Sequence, residues 1–175
     1  MMARLTLVLG GARSGKSSHA EALARQTGLS RLYLATAQPF DDEMRDRIRQ
    51  HRADRDGDGW QTIEEPLGLA GAIDRTAGPG VILLVDCLTL WLSNLMLAGR
   101  AVDEESAGLL AVLAKAAGPV ILVSNEVGLG IVPETPLGRA FRDAQGRLNQ
   151  RVAALADRVI FMAAGLPLIL KESPQ

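Results

Sequence analysis

The sequence predicts an α/β fold, with a mostly parallel central sheet and helices on both faces. Three observations predict it. Short apolar runs recur at Leu5 to Leu9, Val81 to Val85 and Val120 to Val123, as expected of strands covered on both faces. Stretches of helical length separate them, so strands alternate with helices. The first apolar run leads directly into Gly10-Gly11-Ala12-Arg13-Ser14-Gly15-Lys16-Ser17, which a helical segment follows.

That octapeptide fits G-x-x-x-x-G-K-[ST] in the strand, loop and helix setting that gives the pattern its meaning. Glycines let the backbone curl so that successive N–H groups face a phosphate chain. The positive end of the next helix adds its field. Lys16 is placed to reach the β- and γ-phosphates, and the Ser17 hydroxyl to sit on Mg²⁺. The chain is therefore expected to bind a nucleoside triphosphate.

The remaining elements follow in order. A helix from Lys16 to about Thr27 is stopped by Gly28. Arg31 to Thr36 reads as the second strand. Asp41-Asp42-Glu43-Met44 opens a polar, arginine-rich helix that runs through Arg52 and ends at the loop Asp56-Gly57-Asp58-Gly59. Trp60 to Glu65 is a short strand ended by Pro66, and Leu67 to Thr76 a helix. Val81 to Asp86 is a strand, Leu88 to Leu97 an apolar helix, and Glu104 to Ala117 an amphipathic one. Val120 to Ser124 is a strand, and a glycine-rich loop over Asn125 to Pro133 leads to a long helix from Leu137 to Leu155. Asp157 to Ala163 and Leu166 to Leu170 are the last strands. No repeat or linker interrupts the pattern, so residues 1–175 read as one domain.

Composition narrows the class. Only 3% of the 175 residues are aromatic, so the core is aliphatic. The net charge of −1 gives no footprint for nucleic acid. Cys87 is the single cysteine, which excludes an intrachain disulfide and reads as a small core residue. No apolar run approaches a membrane span or a signal peptide, so a cytoplasmic protein is expected.

In such sheets ligands bind at the carboxyl ends of the strands. Thr36, Asp86 and the Ser124-Asn125-Glu126 turn share that edge with the phosphate loop. Asp86, ending an apolar strand, is where a carboxylate would hold Mg²⁺ or its waters; the alternative is an ordinary strand-ending acid. Glu126 could assist the metal or act as base towards a substrate hydroxyl. His19 reads as a packed helix-face residue. His51 sits among Arg47, Arg49, Arg52 and Arg55. That segment is either a solvated basic face or a site where a neutral imidazole attacks phosphorus and the arginines offset leaving-group charge.

Taken together these blocks resemble the bifunctional adenosylcobinamide kinase / adenosylcobinamide-phosphate guanylyltransferase family of cobalamin biosynthesis, nearly end to end. The resemblance is carried by the phosphate loop, Ala35-Thr36-Ala37, Asp42-Glu43-Met44 with Arg47-Ile48 and His51, and Trp60 with Thr62, Glu64, Glu65 and Pro66. Asn125-Glu126-Val127-Gly128 with Gly130 and Val132-Pro133, then Arg139, Phe141-Arg142-Asp143, Gly146 and Asn149-Gln150, complete it. It implies a RecA-like phosphate-loop NTPase fold and homo-oligomers. It implies phosphorylation of the adenosylcobinamide hydroxyl by GTP or ATP. Transfer of GMP from GTP to adenosylcobinamide phosphate then proceeds through a guanylylated histidine, which the motif match makes His51. The nucleotide contacts it implies are Gly10 to Ser17, Ala35, Thr36, Ala37, Arg52, Ala53, Asp54, Arg55, Glu64 and Asp86.

Two other classes compete with that reading. A small-molecule kinase without nucleotidyl transfer needs only the loop, Mg²⁺ and a base. A GTPase switch should carry D-x-x-G after the metal-binding strand and N-K-x-D for guanine. The first position reads Asp86-Cys87-Leu88-Thr89, and N-K-x-D is absent.

Overall fold

The computed structural model describes residues 3–38 and 57–173. In it β1 (Leu5–Gly10), β2 (Ser30–Ala35), β3 (Trp60–Glu64), β4 (Val81–Asp86), β5 (Val120–Asn125), β6 (Arg158–Ala163) and β7 (Leu166–Glu172) form one seven-stranded sheet. Its order is β3-β2-β4-β5-β1-β6-β7. Six strands are parallel and only β7 pairs antiparallel, with β6. The helices are α1 (Lys16–Gln26), α2 (Leu69–Thr76), α3 (Leu88–Leu97), α4 (Val102–Lys115) and α5 (Pro136–Leu155). The expected α/β class and most element boundaries stand. The helix expected over 41 to 52 lies outside the described residues.

Residue alternation splits the core between the two faces of the sheet. Leu5 and Leu7 of β1, Leu83 and Val85 of β4, and Val120 and Leu122 of β5 point to one face. There they meet Ile73 of α2, Trp91 and Leu95 of α3, Leu113 of α4, and Leu148 and Val152 of α5. Val8, Ile82, Leu84, Ile121, Val123 and Ile160 point to the other, against Ala20 and Ala24 of α1. Small alanines let α1 lie close to the strands.

Local signals fix the helix ends. Thr135 caps α5, its hydroxyl accepting from the Gly138 N–H at 3.1 Å, with Pro136 in the first turn. Asp103, Glu104 and Glu105 occupy the first turn of α4, and Lys115 the last, both favourable to the helix dipole. That helix starts two residues before the expected Glu104, because Val102 still packs on the core.

At the amino end of the sheet the connection after α2 crosses the one before β5. A Cβ on buried Gly118 would run into the Gly78 carbonyl, whereas a Cβ on Gly108 of α4 meets nothing. Gly118→Ala should therefore destabilise the chain by about 1–3 kcal/mol through overpacking. Gly108→Ala should stabilise it by roughly 0.5–1 kcal/mol through helix propensity. Urea midpoints of the two variants, compared with the parent, check both signs.

Candidate nucleotide site

The site is built where β1 leaves the sheet between β5 and β6. Gly10 is the hinge: a Cβ there would lie 2.5 Å from the Met162 carbonyl oxygen and 2.6 Å from Ser14 Oγ. Only glycine lets the loop pass that close to β6. Gly15, with φ of 92°, turns the chain into α1 in a left-handed conformation that favours glycine. Arg13 also takes a positive φ, 54°. The turn between β6 and β7 backs the loop, its Gly165 N–H donating to the Ser14 carbonyl at 3.0 Å.

Lys16 is buried within the loop it completes. Its ammonium donates to the Gly11 carbonyl at 2.5 Å and lies 3.5 Å from Ser14 Oγ. Burial pulls its pKa below the usual lysine value, and the nearby Asp86 carboxylate opposes that pull. Lys16 and Asp86 are thus brought into one electrostatic neighbourhood. Ser17 stands one residue on, in the first turn of α1.

Asp86 ends β4, and Tyr33 donates its phenol to Asp86 Oδ2 at 2.8 Å. Ala35 pairs with Asp86 in the β2–β4 register and with Glu64 in the β2–β3 register, so the three stand side by side at the carboxyl edge. Thr36 is fully buried. Its hydroxyl donates to the Cys87 carbonyl at 2.7 Å and accepts from the Cys87 N–H at 2.9 Å. Ala37 follows it among the described residues. His51, Arg52, Ala53, Asp54 and Arg55 lie outside them.

Two side chains that pin this edge, Asn94 and Gln145, stand in no motif of the sequence. Asn94, in the apolar helix α3, donates to the Thr36 carbonyl at 2.8 Å and the Pro66 carbonyl at 3.0 Å. Its signal was a lone amide inside Leu-Trp-Leu-Ser-Asn-Leu-Met-Leu, where a buried polar group needs partners. Buried Gln145 donates to Ser124 Oγ and to Asn149 Oδ1, both at 2.9 Å, and Asn149 donates to the Asn125 carbonyl at 3.1 Å. Glu126, a candidate base by sequence, is engaged with its own loop. Its carboxylate accepts from the Gly128 N–H at 2.6 Å and the Leu129 N–H at 3.0 Å. His19 is half-buried on α1, and burial, with Arg158 nearby, lowers its pKa.

A glycine loop between a parallel strand and a helix, closed by a buried lysine that a strand-ending aspartate influences electrostatically, defines a phosphate-loop nucleotide-binding protein. The chain covers 97% of itself and 79% of the flagellar accessory protein FlaH from Methanocaldococcus jannaschii at a TM-score of 0.56 and 17% identity, a likeness of fold. Residues 6–170 match the family described as "Cobinamide kinase / cobinamide phosphate guanyltransferase", and the chain belongs to that family. It is 51% identical over 170 residues to "Bifunctional adenosylcobalamin biosynthesis protein CobP" of Pseudomonas aeruginosa, covering 96% of this chain and 98% of that one. It is 41% identical over 182 residues to "Bifunctional adenosylcobalamin biosynthesis protein CobU" of Salmonella typhimurium, covering 95% and 99%. The resemblance read from the sequence is thereby established, and with it an enzyme of this kind.

Cys87 bears out its reading as a core residue. It is buried, its Sγ accepts from the Leu90 N–H at 3.5 Å, and burial pushes its thiol up to about 12. Because thiolate is the reactive form, iodoacetamide at pH 8.5 should leave the folded chain unlabelled and modify Cys87 only in denaturant. Mass spectrometry of both samples reads this out; rapid labelling of the native chain would contradict it.

Proposed function

We propose that this chain phosphorylates the hydroxyl of adenosylcobinamide with a nucleoside triphosphate and then transfers GMP from GTP to the resulting phosphate. The observation that carries the reading is Lys16, buried in the glycine loop within the electrostatic reach of Asp86 at the end of β4, in a chain of this family. Loop N–H groups and Lys16 bind the phosphate chain and offset the charge that develops as a phosphoryl group transfers. Ala35, Thr36, Ala37, Glu64 and Asp86, held along one sheet edge, complete the nucleotide contacts together with Arg52, Ala53, Asp54 and Arg55.

The donor set fits a Mg²⁺ carried in with the nucleotide. Such an ion needs one or two protein oxygens beside phosphates and water, and Ser17 and Asp86 offer them. Among the described residues no group of three or more His, Cys, Asp or Glu could hold a metal. Bound there, Mg²⁺ would neutralise phosphate oxygens.

In the second reaction His51 is the nucleophile. Its imidazole nitrogen attacks the α-phosphorus of GTP, and the bond to the β-phosphate oxygen breaks, releasing pyrophosphate. An oxygen of adenosylcobinamide phosphate then displaces the imidazole and receives the GMP. The chain works in the cytoplasm as a homo-oligomer. Leu166, Leu168, Ile169 and Leu170 support the assembly, all being exposed on the edge strand β7. Sedimentation of the purified chain should accordingly give more than one copy per particle, and a monomer at micromolar concentration would refute that part.

The deciding experiment incubates the protein with Mg²⁺ and GTP labelled at the α-phosphate, without cobinamide. Label should remain on the denatured chain, be acid-labile and base-stable, and vanish in His51→Ala, while that variant keeps cobinamide phosphorylation. A folded, GTP-binding parent that takes no label would reduce the reading to a plain kinase.

A further inference from the structure

The acceptor hydroxyl has to reach the terminal phosphate, so the bulk of a cobinamide must lie over the carboxyl edge of the sheet. Cobinamide is a cobalt corrin, a wide ring with apolar faces and neutral amide arms. The described segments at that edge differ sharply in what they offer such a body. The phosphate loop is committed to the nucleotide. The exit of β3 is folded inward, with Glu65 accepting from the Leu67 and Gly68 N–H groups and Asn94 taking the Pro66 carbonyl. β4 passes almost directly into α3. The β6–β7 turn is seated on the phosphate loop.

The loop after β5 is the exception. It reads Val127-Gly128-Leu129-Gly130-Ile131-Val132-Pro133, with no charged residue. Leu129 is 82% exposed, Ile131 97% and Val132 58%. Its roots are fixed. The Glu126 N–H donates to the Gly10 carbonyl at 3.0 Å, tying the loop's start to the first glycine of the phosphate loop. Arg139 donates to the Pro133 and Glu134 carbonyls at 3.0 and 2.7 Å, tying its end to α5. Aliphatic side chains are thus presented to solvent from anchored backbone, three to six residues beyond the Glu126 tie to the phosphate loop.

We propose that Leu129, Ile131 and Val132 form the surface on which the corrin ring of the acceptor docks, beside the phosphate loop. This deepens the function proposed above and rests on it. The contact is hydrophobic, made by side chains that take no part in holding the nucleotide. Its loss therefore weakens acceptor binding and leaves GTP handling alone.

The test compares the parent with Leu129→Ser, Ile131→Ser and the double variant in three assays: cobinamide phosphorylation, guanylylation of the chain by GTP alone, and sedimentation. Removing one well-buried aliphatic contact should raise the KM for cobinamide about tenfold, and the double variant more, with the KM for nucleotide and guanylylation unchanged. An unchanged cobinamide KM overturns the docking surface and leaves the proposed function standing. A raised KM accompanied by loss of the parent's oligomeric state also overturns it, because a second copy would then cover the loop. A parent that never phosphorylates cobinamide refutes the proposed function itself, and the docking surface falls with it.

Discussion

Six parallel strands end along one edge, and there the sheet's backbone groups lose their ladder partners. Buried N–H and carbonyl groups have to be paired. The sequence meets that demand with short polar side chains beside a few backbone bonds, such as Glu126 N–H to the Gly10 carbonyl. Thr36 satisfies both the N–H and the carbonyl of Cys87, Asn94 takes the carbonyls of Thr36 and Pro66, Thr89 accepts from the Asn125 N–H, and Asn149 donates to the Asn125 carbonyl. Each of these bonds joins a strand end to a helix on the α2–α5 face or to the next strand. The described part of the edge is consequently cross-tied before any ligand arrives, which favours electrostatic stabilisation without reorganisation.

The charge arrangement depends on those ties. Lys16 is buried in a chain that could easily have left it in water, and burial alone disfavours its ammonium form. Asp86 counters the cost from β4, on the far side of β5 from β1, and Tyr33 holds one Asp86 oxygen in place from β2. A phosphate chain entering between Lys16 and the loop N–H groups would supply the counter-charge that the protein only partly provides. The lysine bonded back to the Gly11 carbonyl is a donor already aimed within the loop.

What could be read from the sequence divides along physical lines. The apolar runs fixed strand identity because parallel strands are buried on both faces, and the glycine–lysine pattern is bound to one backbone geometry. Strand order could not be read that way: nothing in Val81 to Asp86 states that β5 lies between it and β1. The antiparallel β7 reads as a strand from the sequence but runs two residues further, since Lys171 and Glu172 look like loop residues while pairing with Val159 and Arg158. Asn94 and Gln145 are not legible in the sequence because their role is to close long-range hydrogen bonds, which spacing does not encode. Glu126 shows the converse. A carboxylate at a strand end looks chemical in sequence, and here it caps the first turn of its own loop.

On the proposed function, one phosphate loop serves two displacements at different phosphorus atoms of a nucleotide. The loop and Lys16 stabilise phosphate charge without choosing which bond breaks, so they can be common to both. The choice must come from the attacking atom, because an in-line displacement is decided by which nucleophile is held opposite which leaving oxygen. A hydroxyl at the γ-phosphorus gives a kinase, and an imidazole at the α-phosphorus gives a nucleotidyl transfer. Two nucleophiles can share the site only if they approach from different parts of the carboxyl edge. The β5 loop follows β5 and the described residues Thr36 to Gln38 follow β2, two strands separated by β4. On the proposed function, the acceptor at the β5 loop and the segment that carries the histidine then start from strands on either side of β4.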